Sequence, residues 1–230
     1  MKILLIAGHG EGDSGAVANG YKEAELTREV VRKLKPQLDN YADVTIADTA
    51  KNWFTYKNRV SLNFSPYDYV LEIHFNALVK EDAEGNDRTT GTEIYITNSE
   101  KTWGVEENIV KNIAALGFRN RHLDEKGKFV PKKKDFSVIA RAKNQGVSSA
   151  LLEVCFINDI DDMKLYQAQK DSVVKAIASG IVKGFGLTAK EPDYISIIKE
   201  KIGLEQSTIE YLQNYKYGAE LIKKIANAVK

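Results

Sequence analysis

Short apolar runs alternate with longer segments of helical periodicity along the first part of the chain. The short runs predict buried strands at 2–7, 43–47, 68–73, 91–97, 136–140 and 149–154. Apolar residues at three- and four-residue steps predict helices at 21–38, 54–63, 102–116, 159–165 and 168–185. Strands that alternate with helices are typical of an α/β fold. We therefore expect a mainly parallel, twisted sheet of about six strands with helices on both faces.

Breaker residues and polar stretches refine this pattern. Pro36 is expected to kink or end the first helix near Lys35, because proline lacks the backbone N–H that a helix interior needs. Polar, glycine-containing stretches predict loops at 8–20, 82–90 and 117–135. His122 lies in the last of these stretches and is expected at the surface.

The pattern changes after residue 187. Residues 188–193 are interpreted as a linker, and residues 194–230 contain three short amphipathic segments. About 40 residues is near the lower limit for a domain that folds alone. We therefore expect a main domain at 1–187 and a small helical module at 194–230.

Composition and charge exclude several classes of protein. The 230 residues are 43% hydrophobic and 28% charged, as in an ordinary globular protein. A formal net charge of +1 provides no general attraction to nucleic acid or to a membrane surface. Cys155 is the only cysteine, so no intrachain disulfide can form. No apolar run approaches the roughly 20 residues of a membrane span.

Two histidines and two glutamates fall at chemically suggestive places. His9 and His74 follow predicted strands, Glu23 lies in the first turn of the first helix, and Glu153 lies inside an apolar strand. The carboxyl ends of parallel strands meet at one edge of a sheet, so we expect these side chains to converge there. Two histidines and one carboxylate leave Zn²⁺ one open position, which is the ligand set of a hydrolytic zinc site.

Each of these residues also has a plainer interpretation. His9 alone would suit a polar loop that binds an anion through backbone N–H groups, and His74 alone would suit a local hydrogen bond. Glu25 competes with Glu23, because two positions along a helix turn the side chain by roughly 200°. Glu153 is the sharpest feature, since a buried carboxylate is costly unless it is paired with a cation or used for chemistry.

Taken in order, these residues resemble the zinc-dependent N-acetylmuramoyl-L-alanine amidases of the amidase-3 family. The resemblance covers residues 1 to about 187. Its matching elements are a Gly-His-Gly turn, a helix-opening Glu, an Arg and an Asn before a strand, a His-x-Asn-Ala element, a Gly-x-Glu strand and a final strand with Glu, Phe and Asn. They are carried here by His9, Glu23, Arg59, Asn63, His74, Asn76, Ala77, Gly91, Glu93, Glu153, Phe156 and Asn158.

The resemblance implies hydrolysis of the amide bond between N-acetylmuramic acid and the L-alanine of the peptidoglycan stem peptide. It implies one Zn²⁺ per chain held by His9, Glu23 and His74, with Glu153 as general base and acid. Asn76 and Arg59 are then expected to contact the substrate. The expected partner is peptidoglycan rather than nucleic acid or a membrane. The C-terminal helices are expected to bind the wall or to form a homo-oligomer.

The N-terminal strand also bears on location. MKILLIAGHG is interpreted as a strand rather than a signal peptide, because a polar run replaces any cleavage region. The chain is therefore expected to be a phage or prophage endolysin that is made in the cytoplasm and released through a holin, with a sporulation lytic enzyme as the alternative.

Other activities stay open at the level of sequence. They are a zinc peptidase that cuts within the stem peptide, a catalytically inactive wall-binding protein, and an anion-binding α/β module. The last of these leaves Glu153 unexplained, because a carboxylate repels anions.

Overall fold

The computed structural model describes residues 1–78 and 90–229. The loop predicted at 82–90 therefore lies outside the described residues, apart from Thr90. The chain divides into two compact units, residues 1–189 and residues 190–230. All of the predicted site residues lie in the first unit.

Eight strands are present in the part of the chain that the structure describes. They are β1 Lys2–Ala7, β2 Val17–Ala18, β3 Tyr21–Lys22, β4 Asp43–Ile46, β5 Tyr69–Asn76, β6 Glu93–Ile96, β7 Lys132–Lys133 and β8 Ser148–Phe156. Six of them form one sheet in the order β4-β1-β5-β8-β6-β7, and β2 pairs with β3. Every neighbouring pair in the large sheet is parallel except β6 with β8. The predicted six-stranded, mainly parallel sheet is confirmed.

Helices cover both faces of the sheet, as predicted. In the first unit they are α1 Glu23–Asp39, α2 Tyr56–Ser61, α3 Gly104–Ala114, α4 Ser137–Asn144 and α5 Ile160–Phe185. Successive side chains of a strand point to opposite faces. Ile3 and Leu5 of β1 accordingly pack with α1, α3 and α5, whereas Leu4 and Ile6 pack with α4.

The prediction of a strand at 136–140 was wrong. This segment begins α4, in which Val138, Ile139 and Ala142 are buried at helical spacing. An apolar run of about five residues is too short for its periodicity to separate a strand from a helix. The sixth strand of the sheet is instead β7, within the predicted loop at 117–135. Its two lysines carry no hydrophobic pattern that could have revealed it.

Pro36 does not end the first helix, so the prediction of a helix end near Lys35 was wrong. The helix continues to Asp39, because the hydrogen bond that proline removes lies in the last turn and the fully buried Leu34 and Leu38 hold that turn in place. The helix begins at Glu23 rather than at residue 21, since Tyr21 and Lys22 pair with β2.

The two helices predicted at 159–165 and 168–185 form one helix, α5. Gln169 interrupts its helical geometry, with φ −130°. The Nε2 group of Gln169 donates a hydrogen bond to the backbone oxygen of Leu116 at 3.0 Å. The predicted break therefore corresponds to a kink close to that position.

His122 is buried rather than exposed, which corrects the interpretation of its polar surroundings. Only 2% of the residue is accessible to solvent. Its Nε2 atom accepts a hydrogen bond from the Ile94 N–H at 2.8 Å, and its Nδ1 atom lies 2.9 Å from the Val130 oxygen. Its ring also stacks on Phe129. Ile94 is distant in sequence, and Val130 and Phe129 come close to His122 because the chain turns back on itself between them. The polar residues next to His122 in the sequence therefore gave no indication that it is buried.

The second unit is helical. It contains α6 Tyr194–Ile202, α7 Gln206–Asn214 and α8 Gly218–Ala228. Asp193 caps α6 by accepting hydrogen bonds from the N–H groups of Ile195 and Ser196, and Gly203 ends α6 in the left-handed conformation. Its small apolar core is formed by Ile198, Ile222 and Ala226. Within the described ranges, no helix combines the length and apolar composition needed to cross a membrane.

The buried acid Glu106 is expected to make the stability of the fold depend on pH. Glu106 on α3 is 3% exposed and accepts a hydrogen bond from the Tyr69 hydroxyl at 2.8 Å. Burial raises the pKa of Glu106 from 4.5 to about 7. The pKa of Glu106 is higher in the folded than in the unfolded chain. Its contribution to the free energy of unfolding is therefore full below about pH 4.5 and is lost as the pH rises to about 7.

Glu106→Gln is therefore expected to stabilise the protein at neutral to alkaline pH. The amide oxygen can still accept from Tyr69, and no charge has to be buried. The free energy of unfolding should rise by about 3 kcal/mol at about pH 8 and change little at about pH 4. Urea denaturation of both proteins across this range measures the difference. An equal difference at both pH values would contradict the assignment.

Candidate active site

His9 is held by the loop that follows β1. It adopts the left-handed conformation, with φ 66°, which is unfavourable for a residue with a side chain and is often found at functional sites. The Nδ1 atom of His9 lies 2.9 Å from Asp13 Oδ2. Asp13 is fixed in turn by hydrogen bonds from the Gly15 N–H and the Asn52 side chain, each at 2.9 Å. The Nε2 atom of His9 is thereby directed to Glu23.

Glu23 is the first residue of α1 and is buried. Its Oε2 atom accepts a hydrogen bond from the Ala16 N–H at 3.0 Å, and its Oε1 atom accepts one from the Phe75 N–H at 3.0 Å. His9 Nε2 lies 3.0 Å from Oε2 and His74 Nδ1 lies 2.9 Å from Oε1. Burial acts to raise the pKa of Glu23, but the hydrogen bonds with His74 and His9 outweigh it and hold the pKa well below its usual range.

The position of Glu23 resolves the competition between the two acids in the first turn. Glu25 is exposed and pairs with Lys22 at 3.3 Å. Two residues along the helix place its side chain on the opposite side from the cluster, as the helical geometry requires.

His74 lies within β5, two residues before the strand ends. It was expected just past the end of a shorter strand. In the sheet register His74 is paired with Glu153 on β8. The Nε2 atom of His74 lies 3.3 Å from Glu72 Oε1, and its ring meets the ring of His9 edge to face at 4.9 Å.

The three predicted ligands form a group that could hold a metal ion. One donor atom from each of His9, Glu23 and His74 can be chosen so that all lie within 4.8 Å of one another. Two imidazole nitrogens and one carboxylate suit zinc, and three protein ligands leave one position of a tetrahedral ion free. The donor set and its spacing therefore fit the predicted ion.

Glu153 lies beside this group on β8. It stands in register between His74 on β5 and Glu93 on β6. Its Oε2 atom is buried and has no hydrogen-bond partner among the described residues. Burial raises the pKa of Glu153 to about 7, with His74 opposing the rise and Glu23 adding to it. A carboxyl group with a pKa near neutrality is suited to accept and return a proton.

A cavity of about 380 Å³ lies over these groups. Its polar floor contains His9, Glu23, His74 and Glu153, and its apolar walls include Phe54 and Phe136. A mostly apolar cavity with a few convergent polar groups is typical of a small-molecule or substrate site.

The two predicted substrate-binding residues differ in their placement. Asn76 lines the cavity, donates to Glu93 Oε2 at 3.3 Å and accepts from the Ala77 N–H at 2.8 Å. Arg59 is not among the lining residues. Its Nη1 group donates a hydrogen bond to the backbone oxygen of Phe54, which is a residue of the cavity wall.

Sequence reasoning missed several groups around the site. Glu72 could have been found, because residues 72 and 74 of a strand share one face. Asp13 lies in a glycine-rich turn, where an aspartate is common for local reasons, and its contact with His9 leaves no mark in the sequence. The buried Glu93 carboxylate is bound by Arg121 and by Lys132 at 2.7 Å. Arg121 and Lys132 come from distant parts of the chain, so the sequence around Glu93 does not indicate that they bind it.

The fold and the site together define an α/β domain with a group of side chains at its sheet that could hold a metal ion. The sequence model of the amidase-3 family, described as N-acetylmuramoyl-L-alanine amidase, matches residues 3–183. The chain belongs to this family.

Individual relatives agree with this membership. The chain is 27% identical over 185 residues to the endolysin of Bacillus phage SPP1, covering 79% of this chain and 64% of that protein. It is 30% identical over 185 residues to the N-acetylmuramoyl-L-alanine amidase LytC of Bacillus subtilis (strain 168), covering 78% of this chain and 34% of that protein. The chain thus spans less than two thirds of the length of either relative.

Solved structures share the fold. The N-acetylmuramoyl-L-alanine amidase AmiC2 of Nostoc punctiforme superimposes with a TM-score of 0.65 at 20% identity, over 81% of this chain and 97% of that one. The catalytic domain of the amidase CwlV from Bacillus (Paenibacillus) polymyxa gives a TM-score of 0.64 at 22% identity, over 82% of this chain and 100% of that one.

Proposed function

We propose that this chain is a zinc-dependent N-acetylmuramoyl-L-alanine amidase, which cleaves the amide bond between N-acetylmuramic acid and the L-alanine of the stem peptide. The observation that carries the proposal is the Glu153 carboxyl group beside the His9–Glu23–His74 group, since its buried Oε2 atom has no hydrogen-bond partner among the described residues. Membership of the amidase family supports the choice of bond, as does the name of the Bacillus subtilis relative LytC, an N-acetylmuramoyl-L-alanine amidase.

His9, Glu23 and His74 would hold one Zn²⁺. A bound zinc ion polarises a carbonyl group and lowers the pKa of water toward about 7. The carboxylate of Glu23 is oriented without the ion, because the backbone N–H groups of Ala16 and Phe75 donate hydrogen bonds to its two oxygens. Such fixed ligands need little reorganisation when the ion binds.

Glu153 moves the protons of the reaction. Its carboxylate takes a proton from the water that attacks the lactyl carbonyl carbon. As the carbon–nitrogen bond breaks, the carboxyl returns this proton to the nitrogen, and L-alanine leaves with a free amino group. The buried Oε2 atom of Glu153 is shielded from bulk water that would compete for the proton. Asn76, which lines the same cavity, would contact the substrate.

Release of N-terminal alanine tests the proposal. Purified peptidoglycan incubated with the protein is expected to yield free N-terminal alanine and intact glycan chains. The release should stop with a chelator and return with added zinc. Release of a different amine would instead indicate a zinc peptidase that cuts within the stem peptide. No release from the walls of several species would favour a binding protein.

We propose that the second unit binds the cell wall. Three exposed tyrosines at positions 211, 215 and 217 offer rings on which sugars can stack. Deletion of residues 190–230 is expected to reduce sedimentation of the protein with wall fragments while leaving cleavage of a soluble muropeptide unchanged. A deletion that halves the particle mass in solution would indicate the alternative role in homo-oligomer formation. Unchanged sedimentation and mass would contradict both.

The likeness to a phage endolysin supports an enzyme that acts on bacterial walls. Synthesis in the cytoplasm without a signal peptide and release through a holin-type opening stay predictions, and so does the alternative of a sporulation lytic enzyme.

A further inference from the structure

We propose that Glu72 is a positioning residue for the metal site, and that Glu72 and Asp13 together make the two histidine ligands bind through different ring nitrogens. Glu72 selects Nδ1 of His74 and Asp13 selects Nε2 of His9. The inference rests on the metal ligands of the proposed function, but it does not depend on which bond the protein hydrolyses.

Glu72 is placed by the strand to act on His74. Residues 72 and 74 of β5 lie on one face of the sheet. Glu72 is 4% exposed, lines the cavity, and has its Oε1 atom 3.3 Å from His74 Nε2. Among the described residues, no cationic side chain other than His74 lies within ion-pair distance of this carboxylate. Burying a carboxylate costs free energy unless a positively charged or hydrogen-bonding group lies beside it, and His74 is that group for Glu72.

The two carboxylates determine which nitrogen of each ring carries the hydrogen. Each ring lies between Glu23 on one side and Glu72 or Asp13 on the other. An ion bound beside Glu23 would take the lone pair of the ring nitrogen on its side, so the other nitrogen carries the hydrogen, which Glu72 or Asp13 accepts. For His74 the donor is Nε2, which leaves Nδ1 facing Glu23 at 2.9 Å. For His9 the donor is Nδ1, which leaves Nε2 facing Glu23 at 3.0 Å. Both lone pairs therefore point at the place of the ion.

A plainer interpretation makes Glu72 a buried acid that only neutralises His74. That role would affect folding but not the affinity for the ion. A carboxylate that orients a metal-binding histidine, in contrast, typically contributes about 10- to 100-fold to metal affinity. Zinc affinity therefore separates a positioning role from a merely structural one.

The first test is zinc affinity of the full chain by competition with a chromogenic chelator. Glu72→Gln is expected to weaken zinc binding by about 10- to 100-fold. Glu106→Gln is the matched control, because it also neutralises a buried glutamate but lies on α3, away from the cavity. It should bind zinc like the unmodified chain. Unchanged zinc affinity in a folded Glu72→Gln variant would overturn the proposal.

The second test needs no variant. The chain has three histidines, so imidazole ¹⁵N spectra of the zinc-loaded protein are simple to assign. His74 should show hydrogen on Nε2 and His9 should show hydrogen on Nδ1. His122 serves as an internal reference, since its Nε2 accepts from Ile94 and its Nδ1 must therefore donate to Val130. The same protonated nitrogen on His9 and His74 would overturn the proposal.

The outcomes also separate this inference from the proposed function. Zinc binding with the assigned nitrogens but without alanine release would support the inference and refute the amidase activity. Alanine release by the unmodified chain, with unchanged zinc affinity in Glu72→Gln, would support the amidase activity and refute the role of Glu72. A chain that binds no zinc would refute the role of Glu72 together with the metal ligands.

Discussion

Glu153→Gln is expected to lower the rate of alanine release from peptidoglycan by about 10²- to 10⁴-fold, the usual contribution of a general base. Glutamine has the same shape but cannot take a proton from water. The Oε2 atom of the carboxyl group that it replaces is buried and has no hydrogen-bond partner among the described residues. The substitution therefore removes the proton transfer without breaking a hydrogen bond of the described structure.

Zinc content separates this effect from damage to the site. Glu153 is not one of the three grouped ligands, so the variant should still bind one zinc ion per chain. The measurement is the rate of alanine release together with the zinc-to-protein ratio. Glu106→Gln is again the matched control, because burial raises the pKa of both glutamates to about 7 and only Glu153 lines the cavity. A Glu153→Gln variant with the rate of the unmodified chain would remove Glu153 from the mechanism.

Much of this site could be predicted because its residues interrupt strong local patterns. Buried parallel strands are apolar, so a histidine or glutamate in or after one is conspicuous, as in β1, β5 and β8. Sheet topology then brings such residues to one place. His74 and Glu153 are direct neighbours in the register, and Glu23 completes the group from the start of α1. Convergence inferred from the ends of elements thus matches the observed geometry.

The remainder depends on contacts that leave no local pattern. The strand β7 is two lysines long and forms only by pairing with β6. His122 is buried by Ile94, Val130 and Phe129, although its neighbours in sequence are polar. The role that we propose for Glu72 depends on the rotation of the His74 ring, which is determined by the side chains around it.

Gly8→Ala is the second substitution with a large expected effect, although Gly8 carries no reactive group. Gly8 follows β1, and its N–H donates to the Ile73 oxygen at 2.9 Å. Its oxygen accepts from Thr27 at 3.0 Å, so the backbone cannot easily move away. A Cβ atom at this position would lie 2.3 Å from Cε1 of the His74 ring. Ring and methyl group cannot both occupy this space.

The His74 ring must therefore leave its place, and its contacts with Glu23 and Glu72 are lost with it. A displacement of about 1 Å at a reacting centre commonly costs about 10²-fold in rate. We expect at least that loss of alanine release, together with weaker zinc binding. Glu153→Gln, in contrast, should lower the rate of alanine release without weakening zinc binding.

Gly104→Ala is the control for adding a methyl group to a glycine. A Cβ atom at Gly104 meets no atom within 4 Å, and its φ lies outside the left-handed region. Chelator competition and the alanine assay on both variants measure the two effects, and urea denaturation reports whether each variant is folded. If a folded Gly8→Ala variant binds zinc and releases alanine like the unmodified chain, His74 does not hold the ion from the position that the structure gives it.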